Sequence, residues 1–144
     1  MKKWLSSVCV LLASFGVAQA QMPARSVAAP GTEVYVIAPA DGATVKNPVV
    51  VRFGLKGMGI APAGIQMEGT GHHHLFVDSD LPADMSKPIG MVENKIIHYG
   101  KGQTEATLTL SPGKHTLQLV FADYLHVPHA EPVVSKKITI TVKE

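Results

Sequence analysis

Cysteine is nearly absent from this 144-residue chain: Cys9 is the single one and lies in an apolar segment near the N-terminus. The remainder of the chain therefore contains no disulfide. Without thiolates, any metal site there must draw its ligands from histidine, carboxylate, methionine or backbone oxygen.

Long apolar runs are scarce as well. The longest, over residues 4–17, follows Lys2 and Lys3 and precedes Ala18-Gln19-Ala20. It is shorter than the roughly 20 apolar residues that a spanning helix needs. A basic start, an apolar centre and a small-x-small end are typical of a secretory signal peptide. We predict a signal peptide over residues 1–20, cleavage after Ala20, a periplasmic or secreted protein, and no membrane span.

An excess of positive charge is also missing. The chain has thirteen Lys and Arg against eleven Asp and Glu, and two of the lysines lie in the predicted signal peptide. From residue 21 onward the two signs are equal, at eleven each. A balanced chain offers no basic patch for a phosphate backbone, so we predict no nucleic-acid partner.

No helical periodicity is present from residue 33 onward. Short β-branched and apolar segments are instead separated by Gly/Pro turns, and residues 104–110 alternate cleanly between polar and apolar. This pattern predicts an all-β fold over residues 33–144, an immunoglobulin-like antiparallel β-sandwich of about seven strands, with a small barrel as the alternative. Residues 91–98 and 133–142 are two of the predicted strands. The Ala/Pro/Gly-rich residues 21–32 predict a flexible lead-in.

Three consecutive histidines open one predicted strand. In an extended chain His72 and His74 point to one face, about 7 Å apart at Cα, while His73 points to the other face with Leu75 and Val77. Two imidazoles at that distance can lean onto one metal ion. His73 is instead interpreted as a hydrogen-bonded histidine on the core side of the strand.

A second group of candidate ligands follows the predicted strand over residues 115–122: Asp123, His126 and His129. If that strand pairs antiparallel with the histidine strand, its end lies beside His72. We therefore predict that both groups meet at one rim of the sandwich, and that Asp123 either binds the metal or caps the turn. His115 is expected at the far end, near Asp78, and His98 is not placed. The predicted metal ligands are His72, His74, His126, His129 and Asp123.

Several motifs of this chain occur together: they include Gly71-His72-His73-His74, Pro112-Gly113-Lys114-His115-Thr116-Leu117 and Asp123-x-x-His126-x-Pro128-His129. Taken together they resemble a bacterial exported family, domain of unknown function 4399. The resemblance covers nearly all of the chain after the signal peptide. It implies a small exported β domain, and it carries no activity over to this chain.

The leading functional hypothesis is a non-catalytic, extracytoplasmic metal-binding domain. Copper is favoured over zinc by the Irving–Williams order and by the absence of thiolates. One alternative is a metal-independent module that binds or assembles with a periplasmic protein partner. Another is a metal-dependent hydrolase, although the chain has neither a His-Glu-x-x-His motif nor a Gly-x-Ser-x-Gly motif.

Overall fold

The computed structural model describes residues 24–144, and the predicted signal peptide lies outside this range. Every regular element within the described range is a β-strand, which confirms the all-β prediction. The strands are β1 (Glu33–Ala38), β2 (Thr44–Lys46), β3 (Val49–Lys56), β4 (Gly59–Ile60), β5 (Thr70–Val77), β6 (Ile96–Tyr99), β7 (Glu105–Leu108), β8 (Gly113–Ala122), β9 (Pro128–Val134) and β10 (Ile138–Lys143).

These strands form two sheets. The smaller sheet has the order β1-β3-β7, and all of its pairs are antiparallel. The larger sheet runs β2-β10-β8-β5-β4, with β6 paired to β5 and β9 paired to β8. Only the short edge pairs β2–β10 and β4–β5 are parallel.

One apolar core joins the two sheets. The smaller sheet contributes alternate residues of β1 and β3, and the larger sheet contributes alternate residues of β5, β8 and β10, as period-two patterning requires. Two sheets around a shared apolar layer form a sandwich in outline. The buried residues of this core include Val34, Val51, Phe53, Leu75, Leu117, Leu119, Phe121 and Ile140.

Strand β5 is buried on both faces. His73, Leu75 and Val77 lie on the core side, whereas Phe76 on the other side packs in a second cluster with Ile89. This second cluster also contains Val120 and Ala122 of β8. The outer face of the larger sheet is therefore covered by the connecting segments, and His72 and His74 lie on that covered face.

Three sequence predictions need correction. Residues 24–144 form ten strands instead of about seven, because short edge strands such as β2 and β4 carry no pattern of their own. The strand predicted over residues 133–142 is interrupted at Ser135. There the Ser135 N–H donates to the Leu119 carbonyl of β8, and the Ser135 hydroxyl oxygen accepts from the Leu119 N–H. The strand predicted over residues 91–98 is reduced to β6, since Asn94 adopts a left-handed turn conformation with φ of 58°.

The described part of the predicted flexible lead-in contacts the domain. Arg25 donates hydrogen bonds to the backbone carbonyls of Pro128 and His129, and Ala130 N–H donates to the carbonyl of Ser26 at 2.8 Å. Composition does not reveal these contacts, which join residues about one hundred positions apart in sequence, and the flexibility of the segment stays a prediction.

The core accounts for a first prediction. Val51→Ala removes two methyl groups from a fully buried site in β3, so we expect the free energy of unfolding to fall by about 2 kcal/mol in urea denaturation. Val50→Ala is the matched control, because Val50 is 40% exposed and should change stability by less than about 0.5 kcal/mol. Equal losses for the two variants would contradict this assignment of faces.

Candidate metal centre

Strand β5 lies between β8 and β6, and this pairing assembles the centre. His72 lies opposite Ala122, the last residue of β8, as the predicted antiparallel pairing required. On the other edge, His74 lies opposite His98 of β6. The loop that carries His126 therefore starts beside His72, and a strand with a further histidine runs beside His74.

Four imidazole rings converge on the outer face of the larger sheet. His72, His74, His98 and His126 form this four-histidine cluster, and all six distances between their ring centroids lie between 4.7 and 5.9 Å. One ring nitrogen each from His72, His98 and His126 lies within 4.8 Å of the other two. Nitrogens around a tetrahedral ion at about 2 Å are about 3.3 Å apart, so these three nitrogens would have to approach one another by up to about 1.5 Å to bind one metal.

A glycine creates the space for the His98 ring. A Cβ atom on Gly100 would lie 2.1 Å from Cε1 and 2.3 Å from Nε2 of His98, well inside van der Waals contact. The ring therefore occupies the volume that any other residue at position 100 would fill. Gly100 is the local feature that lets His98 turn into the cluster.

A tight turn directs His126 into the cluster. His126 has φ of 66°, a left-handed conformation that is uncommon for a residue other than glycine and costs about 1 kcal/mol or more. The carboxylate of Asp123 holds the turn by accepting hydrogen bonds from the N–H groups of Leu125 at 2.9 Å and Val127 at 3.0 Å. The His126 N–H in turn donates to the Asp123 carbonyl at 2.9 Å.

Burial favours the neutral form of three of the four imidazoles. Desolvation, with the neighbouring histidines adding to it, lowers the pKa of His74 to about 2 and that of His72 to about 4. Desolvation and then His126 also lower the pKa of His98. These three imidazoles therefore have a free lone pair at neutral pH, which is the form that binds a metal.

The buried ring nitrogens lack hydrogen-bond partners. Among the described residues, neither nitrogen of His72, neither nitrogen of His74 and not Nε2 of His98 has one. A buried polar atom left unpaired costs about 1–3 kcal/mol, and such groups in a native protein call for a reason, for instance an ion.

The other two predicted ligands lie outside the four-histidine cluster. The Nδ1 atom of His129 is 2.8 Å from the Ser26 hydroxyl, and its ring lies beside Phe121 at 5.9 Å between centroids. Both carboxylate oxygens of Asp123 accept hydrogen bonds: Oδ2 from Ser26 at 2.8 Å, and Oδ1 from the turn. A ligand role for these two residues stays a prediction, whereas the turn-cap alternative for Asp123 matches its contacts.

Sequence reasoning did not place His98. Its strand is only four residues long and follows a turn-rich segment, so the pattern did not reveal that it pairs with β5. The one available signal for a strand was the β-branched pair Ile96-Ile97 directly before His98, with Gly100 ending the segment two residues after it.

His73 and His115 lie in different environments. His73 points into the core as predicted, with ring centroids 5.2 Å from Phe53 and 5.3 Å from Phe121. The predicted hydrogen bond was wrong, because neither nitrogen has a partner among residues 24–144 and the surrounding side chains are apolar. The Nδ1 atom of His115 lies 2.7 Å from Asp78 Oδ2, near Asp78 as predicted. Burial alone would lower the pKa of His115, but the hydrogen bonds with Asp78 and Ser111 raise it above its ordinary value.

His73 makes stability depend on pH. Desolvation lowers its pKa to about 4 in the folded protein from about 6.5 in the unfolded chain, so the unfolded chain binds more protons between these values. Stability is therefore lost as pH falls from 6.5 toward 4, by about 1.4 kcal/mol per pH unit for this residue. In urea denaturation with a chelator present, His73→Leu should reduce the slope of stability against pH by that amount. An unchanged slope would contradict the prediction.

Comparison with known proteins assigns the chain to a family. Within residues 24–144 the structure contains no helix of the length and apolarity that crossing a bilayer requires. Comparisons with curated proteins and with solved structures give no match. The model of one family, described as a domain of unknown function (DUF4399), matches residues 51–143, a range that contains all seven histidines. The chain therefore belongs to the DUF4399 family, as its motifs predicted.

Proposed function

We propose that the protein is an extracytoplasmic metal-binding domain that holds one copper ion between His72, His74, His98 and His126. The observation that carries this proposal is the convergence of four imidazoles, three of which bring ring nitrogens within 4.8 Å of one another. The histidines come from two neighbouring strands and one loop, so the fold itself brings them together.

The state of the imidazoles supports a metal over a purely structural role. The buried nitrogens of His72 and His74 have no hydrogen-bond partner in the described part of the chain. His73 also lacks hydrogen-bond partners there, but its ring lies between phenylalanine rings, whereas the rings of His72 and His74 face further imidazoles. A bound ion would satisfy their lone pairs and offset the cost of burying them.

The ligand set supports copper, with zinc as the alternative. Imidazole binds both metals, and the Irving–Williams order gives Cu(II) the higher affinity at a site of given ligands. The cluster offers no thiolate, because the chain beyond the predicted signal peptide has no cysteine. All four proposed ligands are imidazoles, with no carboxylate among them.

Export fits the same proposal. The predicted signal peptide over residues 1–20 would deliver the domain to the periplasm. A site without thiols there does not depend on the local thiol–disulfide balance.

Metal binding is tested by equilibrium dialysis of the untagged protein from residue 21 onward against Cu(II) and, separately, Zn(II). We expect one copper ion per chain and weaker binding of zinc. His72→Gln and His126→Gln should each raise the dissociation constant for copper at least about 100-fold. Removing a group that only supports a ligand already weakens metal binding about 10–100-fold, and removing the ligand itself should weaken it at least as much.

His115→Gln is the matched control for those variants. It removes a histidine from the same sheet that is paired with Asp78 and lies outside the cluster, so copper affinity should stay unchanged. The absence of stoichiometric copper and zinc binding by the unaltered protein would overturn the proposal. Equal losses in all three variants would also overturn it.

A glycine substitution tests the geometry without removing a ligand. Gly100→Ala places a methyl group on the His98 ring and should displace it, so we expect copper affinity to fall about tenfold or more. Gly90→Ala is the matched control, because nothing lies within 4 Å of its added Cβ. The measurement is competition for copper against a chelator, and equal affinities for the two alanine variants would contradict the role of His98.

A further inference from the structure

We propose that Arg25 and Ser26 are positioning residues for the metal centre. Together they form what we call the clasp, which fastens the segment before β1 to residues 123–129, that is, the loop after β8 and the first two residues of β9. This inference rests on the proposed metal site and adds that the clasp sets its affinity by holding His126 in place.

Arg25 ties the loop to a second covering segment. Its guanidinium donates to the carbonyl of Pro128, at 3.2 Å from Nε and 3.0 Å from Nη2, and also to the carbonyl of His129. Nη2 donates in addition to the Met85 carbonyl at 3.1 Å. One side chain thus joins the end of the His126 loop to the segment that packs over the outer face of the larger sheet.

Ser26 connects Asp123 of the loop with His129 at the start of β9. Its hydroxyl lies 2.8 Å from Asp123 Oδ2 and 2.8 Å from His129 Nδ1. The hydroxyl has one proton, and the carboxylate is the stronger acceptor, so the proton goes to Asp123 and the oxygen accepts from His129 Nδ1–H. All three groups are paired in this arrangement, which fixes the orientation of the Asp123 carboxylate.

The oriented carboxylate of Asp123 also holds the turn that carries His126. Asp123 Oδ1 accepts from the N–H groups of Leu125 and Val127, which flank His126 on either side. These bonds stabilise the turn in which His126 has its left-handed φ of 66°. The path from the clasp to the His126 ring therefore consists of Ser26, Asp123 and one turn of backbone.

The clasp matters for binding because the conformation of His126 is unfavourable by itself. Without the Asp123 hydrogen bonds, residue 126 would relax to a negative φ, and its ring would turn away from His72 and His98. If the turn had to re-form when the metal binds, the free energy of placing His126 in this conformation would reduce the metal affinity. Holding the ring in place beforehand is preorganisation in the usual sense.

The test measures copper affinity by chelator competition in the full chain after the signal peptide. Ser26→Ala should weaken copper binding about tenfold or more, the range expected for a residue that supports a ligand. Ser26→Thr keeps the hydroxyl and should restore the affinity. Ser79→Ala is the matched control, because the hydroxyl of Ser79 has only a 3.5 Å contact with a neighbouring carbonyl.

A second measurement is independent of metal. In the metal-free protein, amide hydrogen exchange at Leu125 and Val127 should accelerate in Ser26→Ala, while exchange at core amides of β8 stays as it was. Thermal unfolding verifies that each variant is folded. Arg25→Gln serves as a second variant and should produce the same pair of changes.

The outcomes separate this inference from the proposed function. If the unaltered protein binds no metal, the proposed function fails, and the inference fails with it. If the unaltered protein binds copper but Ser26→Ala and Arg25→Gln bind it equally well, only the clasp inference is overturned. Faster exchange at Leu125 with unchanged affinity would show a structural clasp and would also overturn it.

Discussion

The burial of β5 on both faces and both edges is the constraint on which this structure depends. The strand is hydrogen-bonded to β8 on one side and to β6 on the other, and its residues from His72 to Val77 are removed from water. Because three of those residues are histidines, the fold must bury imidazoles on both faces of the sheet. The identity of the neighbouring side chains then decides what each imidazole can do.

The two faces give opposite environments to the same residue type. On the core side His73 lies between phenylalanine rings, and its burial costs stability without creating a site. On the outer side the rings of His72 and His74 face two further imidazoles, one from a strand and one from a loop, at 4.9–5.9 Å between ring centroids. Burying unpaired ring nitrogens costs free energy unless an ion or another partner binds them, and for this reason we propose an ion at the cluster.

Much of the fold could be predicted from the sequence, because period-two alternation fixes which residues share a face. The separation of His72 and His74 from His73 followed from that rule, and the pairing of β5 with β8 followed from the expected antiparallel sandwich. The position of His98 did not, since the register of a four-residue strand depends on tertiary pairing. The separation of His129 from His126 was also not predictable, because His129 lies in β9 and pairs with Ser26, about one hundred residues away in sequence.

X-ray absorption spectroscopy of the copper-loaded protein tests the central claim most directly, because it reports the atoms bound to the metal. The account predicts a first shell of three or four nitrogens at about 2 Å, with the outer-shell scattering that identifies imidazole rings. A first shell of oxygen atoms, or a single imidazole, would contradict it.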